Sequence, residues 1–202
     1  MQRNSLAQTA GLIGMAGAVA WLVSIFMQYG LGITGPASGA LWVVHELLSF
    51  LGLIGAAVAF LGLRWGGAVR GRFGTIAVGV IALGYALIVI PGTVALVSAD
   101  ADSPLFLLFP IGGMLQVIGT ILVFIATLTG GRWSGWQRWM PVVYAAYFIL
   151  GMSLPLLFGI TPDGPGMIAS ALWGVSWFLV ALAVYTARSD AARQPAAALG
   201  QA

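Results

Sequence analysis

The sequence predicts an all-α integral membrane protein: a single bundle of six transmembrane helices with both termini in the cytoplasm. Three observations carry that expectation. Of the 202 residues 60% are hydrophobic and only 6% charged, with a mean hydropathy of +1.03, whereas a soluble surface carries about a quarter charged residues. The apolar residues gather into six runs, each long enough to cross about 30 Å of hydrocarbon at about 1.5 Å per helical residue. Every basic residue is an Arg, and the Arg residues mark alternate ends of those runs.

The runs cover 11–33, 41–63, 74–97, 105–128, 141–160 and 167–187. Turn chemistry separates them: Thr34-Gly-Pro-Ala-Ser-Gly39, then 64–72, Ser98-Ala-Asp-Ala-Asp-Ser-Pro104, 130–139, and Thr161-Pro-Asp-Gly-Pro-Gly166. A cleavable leader competes for the first run, because Arg3 precedes an apolar stretch with small residues at Ala16, Ala18 and Ala20. The run continues past a leader-length core, which favours a span. Residues 1–188 thus form one domain. The polar, Ala-rich stretch 189–202 is expected to be a disordered tail.

Orientation follows from Arg placement, because basic residues near span ends are retained on the cytoplasmic side. Arg3, Arg64, Arg70, Arg72, Arg132, Arg138, Arg188 and Arg193 all fall on one side, and Asp100, Asp102 and Asp163 on the other. Trp65, Trp133, Trp136 and Trp139 are then expected at the inner interface, and Trp42 and Trp173 near the outer one.

The first and last outer turns echo each other. Gly32-Ile-Thr-Gly-Pro36 leads to Ala40-Leu-Trp42, and Gly159-Ile-Thr-Pro-Asp-Gly-Pro165 leads to Ala171-Leu-Trp173. Parallel hairpin repeats around a site on their axis would produce this, as would the ordinary vocabulary of Trp-rich outer turns. Small residues fall at helical spacing: Gly11, Gly14 and Gly17; Gly52 with Ala56 and Gly55 with Ala59; Gly112 and Gly119. Helices in lipid associate through close backbone approach, so these positions are expected to pack the bundle.

His45 and Glu46 are the ionisable groups inside the runs. A charge at mid-span is costly, so each is expected to face the interior and to find a partner on another helix. They lie about seven residues outward of the centre of their run, hence about 10 Å above the midplane. Gln28, Thr93 and Ser153 lie at the same level, with Ser49 one turn below His45 and the kink-formers Pro91, Pro110 and Pro155 close by. An outward-facing polar vestibule lined by Gln28, His45, Glu46, Ser49, Thr93 and Ser153 is the expectation, with Gln116, Thr120, Tyr85, Tyr144 and Tyr147 as deeper stations. Hydrogen bonding between helices would account for the same residues.

Other chemistry lacks apparatus. There is one His and no Cys, so no metal-ligand cluster is spelled out and no metal or cofactor is expected. Nor is there a phosphate-binding loop, nucleophile elbow or dinucleotide fingerprint. A b-type haem would have His45 and Met27 as its available axial pair. The Arg residues need no nucleic acid, since span orientation and lipid headgroups employ them. The expected partners are the bilayer, an unidentified small solute, and a second copy or another membrane protein docking at a Gly face or at 132–139. The leading functional expectation is a permease-like or ligand-binding bundle, with a non-catalytic accessory or scaffold subunit as the alternative and a haem protein third.

Overall fold

The computed structural model describes residues 2–97, 104–160 and 166–187. Among these the regular elements are all helical: α1 (Gln2–Gly30), α2 (Ala40–Trp65), α3 (Gly71–Val97), α4 (Leu108–Gly130), α5 (Met140–Ala146), α6 (Leu154–Leu157) and α7 (Gly166–Thr186). Short 3₁₀ turns at Pro36–Ser38, Pro104–Leu107 and Gly135–Trp139 precede α2, α4 and α5. Six helical stretches are long and apolar enough to cross a membrane. The fifth is composite, with α5 and α6 joined by a π-helical segment, Tyr147–Ser153.

The π segment answers to Pro155. In a regular α-helix its ring would strike the carbonyl of Gly151 four residues back, and it has no N–H to give. The wider turn removes that conflict: the Leu154 N–H reaches back to Ile149 O, and the Ser153 hydroxyl donates to Phe148 O at 2.9 Å. The helix gives out at Leu157, before the run expected to end at 160. Gly159, at φ 65°, makes the turn after it.

At the other chain ends of the bundle the helices close on themselves. After α1, Leu31 N–H donates to Phe26 O and Ile33 N–H to Met27 O, with Gly32 at φ 68° supplying the left-handed residue such a stop requires. Between α2 and α3, Ala68 N–H donates to Leu63 O, and Ala68 and Val69 are fully buried. The turn before α5 is tied to this one. Trp133 Nε1 donates to Gly66 O at 2.7 Å, and Arg132 N–H donates to Gly67 O at 3.1 Å. Trp133→Phe keeps the ring volume and loses one hydrogen bond, so it is expected to cost about 1 kcal/mol in thermal unfolding.

Close helix approach is built on the small residues. A Cβ on Gly17 would lie 2.7 Å from Gly55 Cα, one on Gly14 2.6 Å from Ala59 Cβ, and one on Gly11 2.6 Å from the Tyr185 backbone nitrogen. Thus α1 seats directly against both α2 and α7. Gly84, Gly112 and Gly119 join α3 to α4 in the same way. The buried core between these pairs is centred on Phe60, Leu63, Ile81, Tyr85, Trp177 and Val180.

Two expectations meet a different arrangement. Trp173 and Trp133, expected at the outer and inner interfaces, are both buried, 8% exposed, while Trp65, Trp136 and Trp139 are exposed. The two echoing hairpins are also packed differently. Helix α1 lies along α2, but α7 packs chiefly on α1 and only lightly on α5. The second echoing turn, 161–165, the acidic loop residues Asp100, Asp102 and Asp163, and the tail 189–202 lie outside the described residues.

Candidate functional site

At the Arg-free end, α2 carries His45 and Glu46. The His45 ring is buried and stacks on Trp42 at 5.3 Å. Its Nδ1 is 3.2 Å from Glu46 Oε1, in an orientation that makes no hydrogen bond. Neighbouring helical residues diverge by about 100°, and the contact arises because the flexible Glu side chain swings back toward the ring. The Ser49 hydroxyl donates to His45 O at 3.0 Å. His45, Glu46, Ser49 and Trp42 therefore form one patch on a single helix.

The other residues expected at this level do not join that patch through hydrogen bonds. Thr93 is exposed on α3 and donates to Val89 O at 2.9 Å. Ser153 is used by the π segment, and Gln28 is half-buried on α1. Among the described residues, no hydrogen bond joins any two of the six vestibule residues across helices. Each hydroxyl is instead spent on a carbonyl of its own helix, the cheapest partner in an apolar surrounding.

The deeper stations do come together. Tyr85 of α3 and Tyr144 of α5, both fully buried, share a hydrogen bond of 2.8 Å between their hydroxyls. The Thr120 hydroxyl and the Trp173 indole lie beside the Tyr144 hydroxyl, without the geometry of a formed hydrogen bond. The Trp177 ring is 5.9 Å from Tyr85, and Phe60 packs edge-on to Tyr144 at 4.7 Å. Gln116 sits one turn from Thr120 on α4, and its backbone nitrogen occupies the space a side chain at Gly84 would need. Tyr147 stands apart and ties the fifth span to α7 by donating to Ala169 O at 2.6 Å.

Five buried polar side-chain atoms among the described residues have no hydrogen-bond partner: His45 Nδ1, Gln116 Nε2, Thr120 Oγ1, Trp173 Nε1 and Trp177 Nε1. Four of the five belong to this one cluster. An indole N–H and an amide nitrogen only donate, and a hydroxyl can do either. The cluster is therefore rich in donors and contains neither carboxylate nor cation. It is suited to receiving acceptor atoms.

Trp173 and Trp177 escaped the reading of the sequence as site residues. The available signal was their spacing of four, which puts both on one helix face, and the mid-span position of Trp177, where an interface anchor does not belong. Trp21 completes the aromatic wall, 5.1 Å from Trp173 and 5.5 Å from Trp177, and its own N–H is spent on Ser170 O at 3.0 Å. Met27 and His45, the axial pair available to a haem, are each buried on separate helices. No group of three or more metal-binding side chains occurs among the described residues.

Comparison with protein-family models, curated proteins and solved structures finds no match.

Proposed function

We propose that this chain is a multi-pass protein of the cell membrane, both termini cytoplasmic, acting as a permease-like or ligand-binding bundle. Its binding centre is the Tyr85–Tyr144 cluster, and the solute it takes is small, uncharged or anionic, and supplied with acceptor oxygens. One observation carries the reading: a buried hydrogen-bonded tyrosine pair is surrounded by Gln116, Thr120, Trp173 and Trp177, each with a buried polar side-chain atom that makes no hydrogen bond of good geometry. A polar group with no partner in an apolar interior costs about 1–3 kcal/mol. A bundle that keeps four such groups together gains when a solute or water supplies the missing acceptors. Membrane placement is supported by the six apolar helices, and orientation by the Arg residues at alternate turns.

The test is thermal unfolding of the detergent-purified protein against a panel of small polyols, amides and oxyanions. Wild type is expected to be stabilised by at least one class, and the Gln116→Leu/Thr120→Val variant by none. Equal responses in the two proteins would exclude the cluster as the binding centre.

His45 and Glu46 stand on this reading at the outer approach to the centre. Because Glu46 makes no hydrogen bond to another helix among the described residues, Glu46→Gln is expected to change stability by less than about 1 kcal/mol. Solute uptake into proteoliposomes is expected to fall in the same variant. A folded variant with unchanged uptake removes Glu46 from the path.

The bonds of Tyr147 to Ala169 O and of Trp21 to Ser170 O, each running from one helix to another, favour a second reading, in which the polar groups merely hold helices and the chain is an accessory or scaffold subunit. Co-purification of a stoichiometric membrane partner, together with no response to any solute, would select it.

A further inference from the structure

The turn between α2 and α3 holds a second feature, independent of the central cluster. Arg64, Gly71, Arg72, Thr75 and Ile76 line an open concavity of about 510 Å³. Arg64 is fixed there: its Nε donates to Thr75 Oγ1 at 3.0 Å, and the Thr75 hydroxyl donates to Gly71 O at 3.0 Å. A guanidinium has five N–H donors. This arrangement spends one and leaves the terminal fork free, already oriented. The platform beneath it is rigid, because the buried Ala68 and Val69 and the Trp133 and Arg132 ties hold the turn in place.

Neither arginine has a counter-ion among the described residues, where the one recorded ion pair is His45–Glu46. The chain has five acidic residues. Glu46 lies toward the opposite end of α2, and the other four, Asp100, Asp102, Asp163 and Asp190, lie outside the described residues. Among the described residues, two guanidinium groups thus share one concavity with no carboxylate paired to either. Planar guanidinium forks match phosphate oxygens in geometry as well as charge.

The walls below the arginines are apolar. Ile76 lines the concavity and is 58% exposed, Leu83 two turns on is 51% exposed, and a Cβ at Gly79 between them would meet nothing within 4 Å. Trp65 and Phe73, next to the two arginines in sequence, are both exposed, as aromatic rings at headgroup depth are. A phosphate on the arginines would thus have exposed apolar surface of α3, from Ile76 past Gly79 to Leu83, for an acyl chain to lie on.

We infer that Arg64 and Arg72 form a binding site for a phosphate group, that of an anionic membrane lipid whose chain lies along Ile76 and Gly79. Free phosphate shares the headgroup chemistry, and the experiment separates the two sources. Native mass spectrometry of the detergent-purified protein would be run with phosphatidylglycerol, with phosphatidylcholine of the same chains, and with inorganic phosphate.

Wild type is expected to retain phosphatidylglycerol in preference to phosphatidylcholine and to hold inorganic phosphate far more weakly. Arg72→Gln is expected to weaken phosphatidylglycerol retention roughly fivefold, and Arg64→Gln/Arg72→Gln more. Arg138→Gln removes the same charge from the adjacent turn and is expected to change retention less than Arg72→Gln. Arg72 is exposed, so its replacement spares the fold. Retention unchanged in Arg72→Gln, or weakened equally by Arg138→Gln, overturns the site. Inorganic phosphate binding as tightly as the lipid overturns the lipid assignment.

Discussion

Gly119→Val is expected to unseat α3 from α4 and to cost at least about 3 kcal/mol in thermal unfolding. A Cβ at Gly119 would lie 2.5 Å from Ile81 N and 2.6 Å from Ile81 Cα. Those are backbone atoms of the opposing helix, so no side-chain rotation can relieve the overlap, and the helices must separate. Separation would also undo the contacts at Gly84, where a Cβ would lie 2.8 Å from Gln116 N, and so would disturb the cluster. Gly79→Ala on α3 is the matched control. A Cβ there meets nothing, and replacing a helical Gly gains about 0.5–1 kcal/mol. Similar stability for both variants would contradict the packing described.

Tyr144→Phe carries the second large effect. Removing its hydroxyl leaves Tyr85, buried and facing the same centre, without the 2.8 Å partner it has now, at an expected cost of about 1–3 kcal/mol. Tyr85→Phe orphans Tyr144 in the same way. The double variant leaves neither hydroxyl stranded, so it is expected to be less destabilised than the sum of the two single changes. Additive losses would mean that the pair is not coupled.

The sequence was most readable where one dimension suffices. Run length located all six apolar helices, and the spacing of Gly11, Gly14 and Gly17 anticipated the face on which α2 and α7 close. Depth could also be counted, and it put Gln28, His45, Thr93 and Ser153 at one level. Azimuth could not. The rotation of each helix about its axis is set by packing against its neighbours, and it leaves Thr93 exposed and Ser153 bonded to its own helix. For the same reason Trp173 was read from its place along a span as an interface residue, whereas its helix turns it into the core. The deeper residues Tyr85, Tyr144, Gln116 and Thr120 were named individually. What the sequence could not supply was the crossing of α3, α4, α5 and α7 that assembles them.

The most direct measurement is the sign of the stability change in Gln116→Leu/Thr120→Val without added solute. If the cluster holds unpartnered donors in readiness for a solute, replacing two of them by apolar groups removes a cost, and the variant is expected to unfold at a higher temperature than wild type. A variant that unfolds at a lower temperature would show that these atoms already bind their partners within the fold, contradicting a ligand-binding centre and leaving the cluster as a structural tie.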